Sequence, residues 1–276
     1  MNILDLDTYD KFIGLFVGRS GGGKTCAIAS FAKRDLERNK KTLLIDIDKR
    51  GRGMLGLRDV LGDKVLQNIE VKQDIDASAG FAKLDEHLEL LIAYQNSNNM
   101  KYGSIIYEGI STMHKMFLYD SMRLRGTTGG FKGKERGKVK FLHPDDYNYA
   151  SMAFHQLMYN GWMKLSCNVI VSGWIVDKWG KPAGEGNEYA ESEVVGHKLL
   201  ATDKFSEEIP GYFDEIYLFE KEETGASARP LRYTVAFEGC LAKTSREALK
   251  GRGKVDITNK LFFDEYEKLI KEGVRK

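Results

Sequence analysis

The stretch Gly18-Arg19-Ser20-Gly21-Gly22-Gly23-Lys24-Thr25 carries the strongest chemical signal in the chain. Its glycines let successive backbone N–H groups turn toward one anion with no Cβ in the way. Lys24 follows as a point charge for the β- and γ-phosphates of a nucleotide, and the Thr25 hydroxyl is of a kind that ligates Mg²⁺. The spacing is that of G-x-x-x-x-G-K-[ST], the Walker A pattern. The flanks suit it: Phe12 to Val17 is a short apolar run of strand type, and Cys26 to Arg38 reads as a helix. A helix starting near Lys24 adds its positive end to the same anion. The cradle expected from these residues runs from Gly18 through Arg19, Ser20, Gly21, Gly22, Gly23, Lys24 and Thr25 to Cys26.

A phosphate loop acquires chemistry when carboxylates stand near it. One must hold Mg²⁺, usually through water, and one must orient or deprotonate the attacking water. Three acids follow apolar strand-like runs: Asp46 and Asp48 after Thr42-Leu43-Leu44-Ile45, and Glu108 after Ile105-Ile106-Tyr107. Glu108 is placed for the metal role, together with Thr25 and Asp46. Asp48 is placed for the water, with Asp46 in support.

The elements that must position these residues follow from the apolar spacing. Asn68 to Val71 reads as a short strand. Phe81, Leu84, Leu88, Leu91 and Ile92 form one helical face, with Asp76 or Ser78 as its cap. Tyr102 to Glu108 reads as a central strand, Ser111 to Leu124 as a helix, and Asp145-Asp146 as the opening of a helix through Ala153, Leu157 and Trp162. Asn168 to Trp174, Phe213 to Phe219 and Arg232 to Phe237 read as strands, and Phe262 to Lys271 as an amphipathic helix. Alternating strands and helices predict an α/β fold with a mainly parallel central sheet, helices on both faces and a more β-rich C-terminal part. Ligands of such sheets lie at the strand ends. With no linker or repeat in view, residues 1–276 are expected to form a single domain.

Two polar stretches interrupt this pattern. Arg123 to Lys140 holds Arg123, Arg125, Lys132, Lys134, Arg136, Lys138 and Lys140 against one acid, Glu135, with five glycines between them. Asp177 to Glu193 is rich in glycine and acids. Both are expected to be mobile loops, at about 125–141 and 177–193.

The net charge of +2 is too mild to demand a nucleic-acid partner, so any such surface must be local. No apolar run approaches the roughly 20 residues that cross a bilayer. The acidic start, Met1 to Asp7, lacks the basic opening of a signal peptide. Cys26, Cys167 and Cys240 are far apart with no C-x-x-C, which suits reduced thiols in a cytoplasmic protein.

The order of strand, G-x-x-x-x-G-K-T, strand ending in Asp-x-acid and strand ending in an acid resembles the RecA-type ATPase core. Within that superfamily the chain is similar to the phage nucleotide-binding proteins, a group that includes single-strand annealing recombinases. Tyr147-Asn148-Tyr149, Gly196-His197-Lys198-Leu199, Pro210 to Ile216 and Ala242-Lys243-Thr244-Ser245-Arg246 support the resemblance, which spans about Phe12 to Gly253. It implies ATP and Mg²⁺ as cofactors, an ATPase activity, a homo-oligomer, and single-stranded DNA held by the two polar loops during phage recombination or replication. Arg125, Lys132, Lys134, Arg136, Lys138 and Lys140 would then meet DNA phosphates with a strong salt dependence, and Trp174, Trp179 and Tyr189 would stack on bases. Lys243 and Arg246 match the region that reaches a neighbouring subunit's γ-phosphate.

The chain departs from that family in two places. Glu108 stands where Asp is usual, and Ser172 followed by Trp174 stands where a polar sensor is usual. Alternative readings are a nucleotide-dependent scaffold, such as a helicase loader or packaging partner with little turnover, or a ParA-like partition ATPase. The latter class carries an early loop lysine, where this chain has Arg19 and Ser20. Asp48-Lys49-Arg50-Gly51 fits the D-x-x-G of GTPases, but no N-K-x-D accompanies it.

Overall fold

The computed structural model describes residues 11–48, 58–75, 79–127, 142–180, 193–225, 231–239 and 241–273. In chain order the elements are β1 (Ile13–Gly18), α1 (Lys24–Glu37), β2 (Lys41–Asp46), α2 (Arg58–Leu61), α3 (Asp63–Gln67), β3 (Ile69–Lys72), α4 (Gly80–Asn96), β4 (Tyr102–Glu108), α5 (Ile110–Thr127) and α6 (Pro144–Gln156). After these come β5 (Asn168–Gly180), β6 (Glu193–Leu199), α7 (Asp203–Glu208), β7 (Glu215–Glu223), β8 (Leu231–Ala236), β9 (Lys254–Asp256) and α8 (Phe262–Gly273). The chain divides into two compact units. One comprises Ala32–Val171 with the segment ending at Ile13; the other comprises Gly14–Phe31 and the residues from Ser172 onward.

The first unit is α/β, with parallel strands in the order β3-β2-β4. Leu43, Leu44 and Ile45 of β2 and Ile105, Ile106 and Tyr107 of β4 are all buried. Such uninterrupted apolar runs are what a parallel strand covered on both faces requires. α4 presents Leu84, Leu88 and Leu91 to the core. Its N-cap is Ala79, with no side-chain cap, while Asp76 and Ser78 lie outside the described residues.

α6 begins as its acids predict. His143 is the N-cap, Pro144 follows it, and Asp146 closes a capping box by accepting from the His143 amide at 2.7 Å. Beyond Gln156 the helix loosens into a π turn, Leu157–Gly161, and then a short 3₁₀ turn, Trp162–Lys164. Gly161 lies against Leu88, whose Cδ1 would stand 2.6 Å from any Cβ at that position. Trp162 is fully buried, its ring centroid 4.7 Å from that of Tyr107. The wider turn thus accompanies the entry of a large indole into the core directly after a close approach to α4.

The second unit is more strand-rich. β1 pairs parallel with β7, β8 runs antiparallel to β7, and β9 antiparallel to β8. Phe16 of β1 is the centre of an aromatic cluster, with Phe31, Tyr217, Phe219 and Phe262 at centroid separations of 5.0 to 6.0 Å. α8 contributes Phe262, Phe263, Tyr266 and Leu269 from one buried stripe. β5 continues to Gly180 by pairing antiparallel with β6, so Asp177-Lys178-Trp179-Gly180, read from sequence as the start of a polar loop, lies in a strand. The ladder satisfies its backbone groups, which a reading by polarity does not see.

Candidate functional site

The glycine loop joins β1 to α1 within the second unit. Gly18 is the register partner of Phe219 on β7, and a Cβ on Gly18 would collide with the Phe219 carbonyl. A Cβ on Gly22 would lie 2.8 Å from the same oxygen and 3.2 Å from the Arg19 carbonyl. Gly21 and Gly23 have φ of 75° and 95°, values that only glycine adopts without strain. The Gly22 amide donates to Arg19 O at 3.2 Å and the Ala27 amide to Gly23 O at 3.0 Å. The loop is therefore a tight turn pressed on β7 and running straight into a helix N-terminus. That is the geometry of an anion cradle, and it fits a triphosphate.

Lys24 is buried, and its ammonium donates to Gly18 O at 2.8 Å and Arg19 O at 2.9 Å. Ser20 is exposed, and Thr25 and Cys26 are half-buried. Burial pushes the Cys26 thiol pKa up, which keeps it neutral beside the loop. Arg19 forms an ion pair with Asp177 of β5, and the same carboxylate oxygen lies 3.3 Å from His197 Nδ1 of β6.

The acids belong to the first unit. Asp46 and Glu108 are register partners at the C-terminal ends of the parallel strands β2 and β4. Asp46 is fully buried and accepts from Gln73 Nε2 at 2.6 Å. Asp48 and Glu108 are half-buried. Gly109, with φ of 108°, leaves room for the Asp48 carboxylate, which occupies the space a Cβ at residue 109 would take. Asp46 and Glu108 are thus neighbours by strand register, and Asp48 packs against Gly109, the residue after Glu108. Among the described residues no three His, Cys, Asp or Glu side chains form a ready metal cage. Mg²⁺ bound to a nucleotide needs none, because water and phosphate supply most of its ligands.

The fold is similar to that of a solved structure. That structure is a KaiC-like protein from the hyperthermophilic archaeon Pyrococcus horikoshii OT3, at 11% identity and a TM-score of 0.42, over 82% of this chain and 77% of that one. No family model matches the sequence, and no curated protein matches it.

The remaining candidates are dispersed. Lys243 is exposed, and its backbone forms a two-way bridge with Ile216, at 2.8 and 2.9 Å. Arg246 is turned inward, with Nε 3.7 Å from Glu215 Oε1 and its guanidinium 5.6 Å from the Tyr266 ring centroid. Glu215 organises this segment. It accepts from Tyr217 Oη at 2.8 Å, Thr244 Oγ1 at 2.7 Å and Ser245 Oγ at 2.6 Å. Burial, with Tyr266 and Glu215 nearby, holds the Tyr217 pKa well above its usual value, so its hydroxyl remains a donor. Ser172 is buried in β5, and Trp179 is 64% exposed.

Arg125, expected on DNA, lies in the last turn of α5 with its guanidinium 2.8 Å from buried Asp146, which also accepts from Ser121 Oγ at 2.7 Å. That pairing ties α5 to the start of α6. Lys132, Lys134, Arg136, Lys138 and Lys140 lie outside the described residues, as do Tyr189 and Cys240. Among the described residues no helix is long and apolar enough to cross a membrane.

Sequence reasoning missed Gln73 and Glu215. Gln73 follows Lys72, the register partner of Ile45, so a β2–β3 pairing places it beside Asp46. Glu215 had a visible signal, an acid heading the apolar run Ile216-Tyr217-Leu218-Phe219.

Proposed function

We propose that the protein is a RecA-like ATPase that binds ATP with Mg²⁺ and acts on single-stranded DNA as a homo-oligomer, in phage recombination or replication. The glycine loop carries this reading. Two of its glycines have no room for a side chain, two have positive φ, and its lysine is buried at the mouth of α1. A rotation of the Lys24 side chain exchanges the Gly18 and Arg19 carbonyls for phosphate oxygens. Its charge then offsets the negative charge that spreads over the γ-phosphoryl group during transfer.

Thr25, Glu108 and Asp46 are the residues that would hold Mg²⁺, which supplies charge neutralisation across the phosphates. Asp48 is proposed to orient the attacking water. Lys243, exposed on a backbone fixed by its bridge to Ile216, is the group proposed to reach a neighbouring subunit's nucleotide, with Arg246 bracing the segment behind it. The resemblance to phage proteins, rather than any described surface, supports DNA as the partner.

The test is ATP turnover with and without single-stranded DNA. Stimulation by DNA is expected. Turnover indifferent to DNA would favour a nucleotide-dependent scaffold, such as a helicase loader or packaging partner.

A further inference from the structure

The face of β7 and β8 that carries the glycine loop does not end at the loop. Phe219 pairs with Val235, and two residues on, Lys221 pairs with Tyr233. Residues two apart share a face of the sheet, so Tyr233 and Lys221 extend the Phe219 surface beyond the point where its backbone meets Gly18 and Gly22. The Tyr233 ring closes on the loop, its Cδ1 3.4 Å from where a Cβ on Gly23 would sit.

Its backbone is held on both sides. The amide donates to Thr258 Oγ1 at 2.8 Å, and the carbonyl accepts from the Ile257 amide at 2.9 Å. Thr258 is in turn fixed by its own amide donating to Asp256 Oδ1 at 2.8 Å. A half-buried aromatic ring is thus anchored at the edge of the phosphate loop, beside its last glycine, with the exposed Lys221 as its cross-strand neighbour.

We infer that Tyr233 is the nucleobase platform of this site, and that the base is bound by stacking on its ring. The inference rests on the nucleotide reading above and adds a specificity to it. A π-face recognises area rather than edge chemistry. Purine triphosphates are therefore favoured over pyrimidine ones, and ATP and GTP bind alike.

The experiment compares wild type, Tyr233→Ala and Tyr233→Phe by titration calorimetry with Mg-ATP, Mg-GTP, Mg-CTP and inorganic tripolyphosphate. Wild type is expected to bind ATP and GTP within about threefold of each other and CTP more weakly. Tyr233→Ala is expected to lose about tenfold in ATP and GTP affinity, the size of one base–aromatic stack, while tripolyphosphate binding is unchanged. Tyr233→Phe restores ATP affinity. ATP affinity untouched by Tyr233→Ala would overturn the inference alone and leave the nucleotide site standing. So would a loss for tripolyphosphate in step with ATP, which would mark Tyr233 as a prop for the loop. A wild type that binds neither ATP nor tripolyphosphate would remove the nucleotide reading, and the inference with it.

Discussion

The carbonyl oxygen of Phe219 stands where a Cβ on Gly18 would have to go. Both residues lie in the β1–β7 ladder, so the obstruction is backbone held by backbone, not the yielding tip of a side chain. Gly18→Ala must push the strands apart at the base of the phosphate loop. The expected outcome is a loss of about 1–3 kcal/mol of stability by urea denaturation, the usual range for forced overpacking, together with loss of ATP binding. A variant with wild-type stability and affinity would show that the loop does not depend on this approach.

A second glycine invites a double-mutant cycle. Gly109 has φ of 108° and faces the Asp48 carboxylate. Gly109→Ala combines backbone strain with displacement of that carboxylate, whereas in an Asp48→Ala background only the strain remains. The double variant should be more stable than the sum of the single effects implies, by about 1 kcal/mol. Strictly additive losses in denaturation of the four proteins would mean that Asp48 is not held against residue 109.

Much of this was legible in the sequence where one physical rule acts alone. The strand Tyr102–Glu108 has the bounds expected of it, because a buried parallel strand is a continuous apolar run ended by an acid. α8 starts at Phe262 as its apolar spacing requires. Elements failed to show where a partner decides the outcome. Asp177 to Gly180 looks like loop by polarity, and only the β6 ladder makes it strand. β9, three residues long, has too little pattern to be seen. At the site, the glycine loop was legible because its chemistry is contiguous. Gln73 and Tyr233 were not, because each reaches its neighbour through sheet register and through no local motif.

Asp35 offers a pH test of the core in the first unit. It is buried, accepts from Thr42 Oγ1 at 2.6 Å and Ser104 Oγ at 3.2 Å, and its pKa is raised from 3.8 to about 6. Burial is the main cause, and the two hydroxyl donors oppose it. An acid with a raised folded pKa binds its proton more tightly in the folded state. Its stability contribution is therefore present below 3.8 and is lost as pH rises through about 6. Wild type should lose about 1–3 kcal/mol relative to Asp35→Asn across that window. Parallel stability–pH curves for the two proteins would contradict this assignment.

The most direct test is equilibrium binding of Mg-ATP to wild type and to Lys24→Ala, each checked for folding by its thermal midpoint. Wild type should bind. Lys24→Ala, which deletes the buried ammonium and its charge-assisted contacts, should stay folded and lose at least about tenfold in affinity. Equal affinity in the two folded proteins, or no binding by wild type, would contradict the assignment of the glycine loop as a nucleotide site.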